Sequence, residues 1–388
     1  MATATIPGRA TAILCDLIAI ESVNPHFPGG WRGEVAVAEY LADFFGRLGL
    51  PVERQEVLTG RSNVWARLDI PGARRTLLLE THMDTVTLEP SGESMLRPIE
   101  RDNRIHGRGA CDDKGSLAAM LGALQTLVER ARDLRVNVIV MGSVDEEYLM
   151  RGISAFARNG PSVDAAVVGE PTNLDVVRAH KGLIRWTMRT IGRSAHTSIP
   201  ENGDNAIYQM LDVCRALRED LAPRLATRSH PLLSPPTLTI AKIVGGTAVN
   251  IVPDDCAIDV DRRTLPSENP REVIAEMENA LRRLAASDPS IRVTIGDPFA
   301  NIGGIDTAED TEIVQVAARA SRDVAGRGRI IGVPYGTNAA ALAAAGVPVV
   351  VLGPGDIAQA HTADEYVDAR QLEQAADVYA AIALAFPA

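Results

Sequence analysis

The segment Thr81-His82-Met83-Asp84-Thr85 closes the short apolar run 77–79. A run this short and apolar reads as a buried parallel strand, whose polar end falls at the carboxyl edge of a sheet, where open α/β folds bind ligands. His82 and Asp84 are two residues apart and point to one side of a strand. The Asp84 carboxylate can therefore reach the imidazole and fix its tautomer, as beside a metal-bound histidine. The ordinary alternative is a solvated strand end. The pattern recurs, however. The apolar run 136–144, interrupted by Asn137, ends in Asp145-Glu146-Glu147, three carboxylates that repel one another unless a cation sits among them. Run 165–168 ends at Gly169-Glu170, and run 349–352 leads through a loop to His361. In His106-Gly-Arg-Gly-Ala-Cys-Asp-Asp-Lys-Gly115 the glycines permit tight turns. Asp112 and Asp113 there precede Leu117, Met120, Leu121, Leu124 and Leu127, which recur at helical spacing. Helix-dipole stabilisation is the plain reading of an acidic residue at that place, and two adjacent ones exceed it.

Together these places supply His82, Asp112, Glu147, Glu170 and His361. Two imidazoles and three carboxylates suit zinc, and five ligands exceed what one tetrahedral ion with an open position needs. A two-metal site with one shared carboxylate uses all five, leaving Glu146 as a general base toward water. There is no H-E-x-x-H, G-x-S-x-G or Walker P-loop. Gly353, Gly355 and Ala358 mimic a dinucleotide fingerprint, but Pro354 and the polar continuation fit a loop.

The elements that must position these residues are legible in outline. Helices are predicted over 10–19 and 34–48, the second with Val37, Leu41, Phe44, Phe45 and Leu48 on one face and Gly49 as its stop. Strands are predicted over 63–68 and 76–80, and residues 90–104 read as a surface loop. From 183 to 297 the order is strand 183–191, helix 204–217, strands 237–244 and 256–262, helix 271–286 and strand 291–295, the ferredoxin-like β-α-β-β-α-β pattern.

With 388 residues the chain is long enough for two domains. Its net charge, 39 minus 50 or −11, argues against a nucleic-acid partner or an anionic membrane surface. No apolar run reaches the length of a membrane span, and the amino terminus lacks a basic stretch followed by an apolar one, so a cytoplasmic protein is expected. The four scattered cysteines, Cys15, Cys111, Cys214 and Cys256, point to reduced thiols.

The motifs, in this order from Ser22-Val-Asn-Pro25 to Asp364-Glu-Tyr-Val367, resemble the M20 family of metallopeptidases and deacylases, the group of acetylornithine deacetylase, succinyl-diaminopimelate desuccinylase and carboxypeptidase G2. The resemblance implies an α/β mixed-sheet zinc-hydrolase catalytic domain, residues 1–182 and 298–388, with an inserted ferredoxin-like α+β lid and dimerisation domain, 183–297. It implies two Zn2+ ions, with Co2+ or Mn2+ as alternatives. His82 and Glu170 would hold one and Glu147 and His361 the other, with Asp112 bridging. Asp84 would orient His82, Glu146 would be the acid/base and His196 would stabilise the oxyanion. Asn250 and Arg263 would hold a substrate carboxylate, with Arg262 adjacent on the other strand face, and Gly336, Thr337 and Asn338 would contact substrate. A cis peptide between Asp112 and Asp113 is also implied, as is a homodimer formed through the lid. His180, in the Val177-Arg-Ala-His-Lys-Gly182 stretch that resembles acetylornithine deacetylase, is expected near the site without an assigned role.

The implied activity is an amidohydrolase removing the acyl group from an N-acyl amino acid by Glu-activated, metal-bound water. An M20 dipeptidase or carboxypeptidase acting on a short peptide is the nearer alternative, and a non-catalytic binding protein on the same fold the distant one. Two departures bear on substrate. Asp112-Asp-Lys-Gly115 replaces the Asp-Met-Lys-Gly common in deacetylases, and Tyr148-Leu-Met-Arg151 replaces the small residues common after the glutamate pair.

Overall fold

The computed structural model describes residues 9–388. The chain divides into two compact units, one of residues 9–178, 307–331 and 337–388, the other of residues 179–306 and 332–336.

The first unit is built on a mixed sheet. Its successive strands are Val52–Leu58, Arg61–Leu68, Asn137–Ser143, Thr76–His82, Ala165–Val168, Val349–Val351 and Val176–His180, the last running into the second unit at Ala179. The middle four run parallel, and every residue in them is buried, so their apolar runs follow from being covered on both faces. Parallel alignment brings their carboxyl ends to one edge, with His82 in register with Ser143 and Val351 with Val168. Helix Lys114–Glu129 buries Leu117, Met120, Leu121, Leu124 and Leu127 and packs on helices Arg9–Ile18 and Ala369–Ala385. Helix Val35–Arg47 buries Val37, Leu41, Phe44 and Phe45, and Gly49 follows it at φ 73°, a left-handed turn that glycine adopts without penalty.

Residues 90–104 are not the loop expected. They form the 3-10 turn Gly92–Leu96 and strand Ile99–Arg101, which pairs with Arg104–His106 through a turn at Asp102 and Asn103, both at positive φ. Tyr366–Asp368 completes a small three-stranded sheet. All three residues of Ile99–Arg101 are exposed, so no apolar alternation marks the strand. The edge strand Val52–Leu58, with four charged or amide residues among its seven, was invisible for the same reason.

The second unit carries an antiparallel sheet in the order Thr237–Gly245, Asp255–Thr264, Gly182–Ile191, Val293–Ile295. Helices Ala206–Ala216 and Pro270–Ser287 close a core of Trp186, Met188, Met210, Val213, Ile258, Val260 and Met277. This is the ferredoxin-like order read from the sequence. Among the described residues no helix is long and apolar enough to cross a membrane.

Candidate metal centre

The carboxyl edge of the parallel strands gathers the candidate ligands. His82 ends strand Thr76–His82, and Glu170 lies two residues beyond Ala165–Val168. Beyond Asn137–Ser143 the chain turns at Asp145, φ 70°, before Glu146 and Glu147. His361, φ 61°, follows the 3-10 turn Ile357–Gln359. Asp112 sits just before helix Lys114–Glu129, joined to Asp113 by a cis peptide. Asp113 occupies the N-cap position but makes no side-chain cap, and its Oδ2 instead accepts the Thr81 hydroxyl at 2.5 Å. Simple helix capping therefore does not account for the acidic pair.

The Asp112 carboxylate lies between two imidazoles, Oδ1 3.1 Å from His82 Nε2 and Oδ2 3.2 Å from His361 Nε2. Glu147 Oε2 is 3.2 Å from the same His361 nitrogen. Two ligand groups result, His82–Asp112–Glu170 and Asp112–Glu147–His361, each with its donor atoms within 4.8 Å of one another. Asp112 belongs to both. His82, Asp112 and Glu170 are buried, whereas the His361 side chain is 55% exposed, so the centre opens on that side.

The electrostatics show a cluster short of positive charge. Burial, followed by neighbouring carboxylates, pushes the Glu146 and Glu170 carboxyls well up, the nearby His82 notwithstanding. Glu147 is raised to about 7 by burial and by Asp112. Burial also works against Asp112 as an anion, but its contacts with His361 and His82 outweigh this and hold it low. His361 is raised to about 10 by Asp112 and Glu147. In His82 burial opposes the charged ring, yet Asp112 and Asp84 prevail and raise it well above the usual value. Without a metal, protons must supply the missing charge. Glu147 Oε1 is buried without a partner, and the donor set of imidazole nitrogen and carboxylate oxygen fits a pair of divalent cations sharing Asp112.

Supporting groups fix these ligands. His82 Nδ1 donates to the main-chain carbonyl of Asp84 at 2.9 Å, while the Asp84 carboxylate that was expected to hold the ring stands 3.6 Å away. That carboxylate accepts the Glu146 and Glu147 backbone N–H groups, each at 3.1 Å, and Asn24 Nδ2 at 2.7 Å. Glu365 accepts the N–H groups of Gly109, Cys111 and Asp112 at 3.1, 2.9 and 3.0 Å and pairs with Arg108 at 2.6 Å. Asn24 and Glu365 lie within motifs legible in the sequence, but neither was singled out.

The remaining candidates divide between the two units. Thr337 and Asn338 are buried in the first unit, where Asn338 Nδ2 donates to Glu80 Oε1 at 2.8 Å and Ser143 Oγ at 3.0 Å. The second unit carries Gly336, His196, Asn250 and Arg263. His196 is exposed, its Nδ1 2.7 Å from Ser198 Oγ, and the Asn250 carbonyl accepts Thr197 N–H at 3.2 Å. Arg263 pairs with Asp261 at 2.8 Å, and Arg262, buried on the opposite strand face, pairs with Glu268 at 2.6 Å. His180 is fully buried there, and burial lowers its pKa to about 4.

A mixed sheet with imidazoles and carboxylates at the carboxyl ends of its parallel strands defines the class, an α/β protein with a candidate dinuclear metal centre. Residues 78–385 match peptidase family M20/M25/M40. The acetylornithine deacetylase of Myxococcus xanthus is 31% identical over 381 residues, 95% of this chain and 94% of that protein. The chain belongs to the M20 family and is a hydrolase of amide bonds. An M20 metallo-carboxypeptidase from Sulfolobus solfataricus superposes with a TM-score of 0.81 at 18% identity, covering 98% of this chain and 99% of that one. A dinuclear metal binding M20 peptidase from Bacillus subtilis gives 0.69 at 16% identity, covering 97% of each. At these identities the two structures speak for the fold.

Proposed function

We propose that the protein is a dinuclear, zinc-dependent deacylase of N-acyl amino acids, acetylornithine deacetylase-like. The observation that carries this reading is the Asp112 carboxylate set between His82 and His361 at 3.1 and 3.2 Å, with Glu147 and Glu170 completing two ligand groups. His82 and Glu170 would hold one ion, Glu147 and His361 the other, and Asp112 both, with Co2+ or Mn2+ as substitutes. Such a pair supplies, when bound, Lewis acidity toward the amide carbonyl and a lowered pKa for water.

Glu146 stands next to the ligand Glu147 and lies outside both ligand groups. As water oxygen bonds to the carbonyl carbon, a Glu146 carboxylate oxygen takes the water proton. When the C–N bond breaks it delivers that proton to the departing nitrogen, giving a free acid and an amine. In this reading, which the resemblance supports, His196 would stabilise the oxyanion, and Asn250, Arg263 and residues 336–338 would contact substrate. In the same reading the inserted unit would serve as a lid and homodimer interface, and the protein would work in the cytoplasm. A dipeptidase or carboxypeptidase is the second reading; Asp113, in the Asp112-Asp-Lys-Gly115 variant that resembles the dipeptidase branch, favours the dipeptidase.

E146Q is the test. With metal content unchanged, kcat on an N-acetyl amino acid should fall about 10²–10⁴-fold, the usual contribution of a positioned acid/base. Retention of most of the turnover would contradict the assignment. Assaying N-acetyl amino acids beside dipeptides separates the two readings.

A further inference from the structure

We infer that the Glu34–Arg61 ion pair is a positioning element for Glu146 and Glu147, acting through the main chain and Asp145. This rests on the role proposed for Glu146. Three successive backbone N–H groups, those of residues 145, 146 and 147, end on two buried carboxylates: Glu34 Oε1 at 2.9 Å, then Asp84 Oδ1 and Oδ2 at 3.1 Å each. The turn they hold has Asp145 at φ 70°, left-handed backbone that a non-glycine residue keeps only when its surroundings fix it.

Arg61 joins the parts. Its Nε and a terminal nitrogen grip both Glu34 oxygens at 2.6 and 2.5 Å, and that terminal nitrogen also reaches Asp145 Oδ1 at 3.4 Å. Asn24 Nδ2 links Asp84 to Asp145, at 2.7 and 3.2 Å, and Arg151 closes on Asp145 at 2.5 and 2.9 Å. Glu34 and Asp145 have no solvent exposure, and Arg61 has 9%. Without the guanidinium two buried anions would face the same turn. A buried ion pair adds little stability over an apolar pair of the same volume, so what this one supplies is a fixed direction. That direction sets where the two glutamates of the metal centre stand, and a misplacement of about 1 Å near reacting atoms costs on the order of 100-fold in rate.

The test uses full-length R61K, the E34Q/R61Q double variant and E146Q. R61K keeps the charge but loses the fork, and the double variant leaves no unpaired buried charge. Steady-state kinetics on an N-acetyl amino acid in excess zinc is read beside calorimetric titration of zinc into metal-stripped protein and the thermal midpoint. In folded R61K and double variants kcat should drop about 10–100-fold with KM within about twofold. The weaker zinc affinity should fall about 10-fold, the scale of a lost supporting contact. Wild-type kcat and zinc affinities in both variants, beside an inactive E146Q, overturn the positioning role alone. An active E146Q overturns the base assignment and the positioning role with it.

Discussion

Asp84 illustrates how a residue beside a metal ligand can matter more for its neighbours than for that ligand. Its main-chain carbonyl, not its carboxylate, takes the His82 Nδ1 proton, so the ring's tautomer is set by the backbone. The carboxylate is left to receive the Glu146 and Glu147 N–H groups and the Asn24 amide. D84N keeps the shape but turns an amide NH2 toward one of those donors, and two donors cannot satisfy each other. We predict that kcat falls about 10–100-fold, the scale of a lost supporting contact, while the ion proposed at His82 is retained. Kinetics with elemental analysis of the purified variant checks both parts. An unaltered kcat would show that the turn does not depend on the carboxylate, and loss of metal from His82 that the carboxylate serves the imidazole instead.

At the scale of elements, parallel strands deliver ligands to one edge and long-range contacts hold the intervening loops. Glu365 is the clearest case. Some 250 residues along the chain from the loop it serves, its fully buried carboxylate gathers three N–H groups between Gly109 and Asp112 and the Arg108 guanidinium. E365A would leave Arg108 buried and unpaired and those donors unsatisfied, so we predict a loss of about 3–5 kcal/mol in denaturant unfolding. A change below about 1 kcal/mol would mean that the loop is held by packing alone.

This contrast also explains what the sequence discloses. His82, Glu147 and Glu170 each close a buried apolar run, and periodicity finds such runs. Asp112 was found by its helix and His361 by the run before its loop. Strands Val52–Leu58 and Ile99–Arg101 are polar edges with no such signature. Glu34, Arg61 and Glu365 take their meaning from partners distant in sequence, which a linear reading does not pair. The Asp84 contact with His82 was expected from the period of a strand, and the closer carbonyl shows that the chain has already left the strand there.

At the scale of the whole molecule, the metal centre is assembled within one unit from segments on both sides of an insertion. Glu170 precedes residues 179–306, and His361 follows them. The ferredoxin-like unit has its own sheet and core, so the insertion interrupts the chain without interrupting the cluster. Everything proposed about activity depends on the five ligands meeting around two ions. Anomalous diffraction at the zinc edge, from crystals of the zinc-reconstituted protein, tests this most directly. We predict two peaks per chain, one bounded by His82, Asp112 and Glu170 and the other by Asp112, Glu147 and His361. Zinc bound elsewhere, or these five side chains with no ion among them at saturating zinc, would contradict the account.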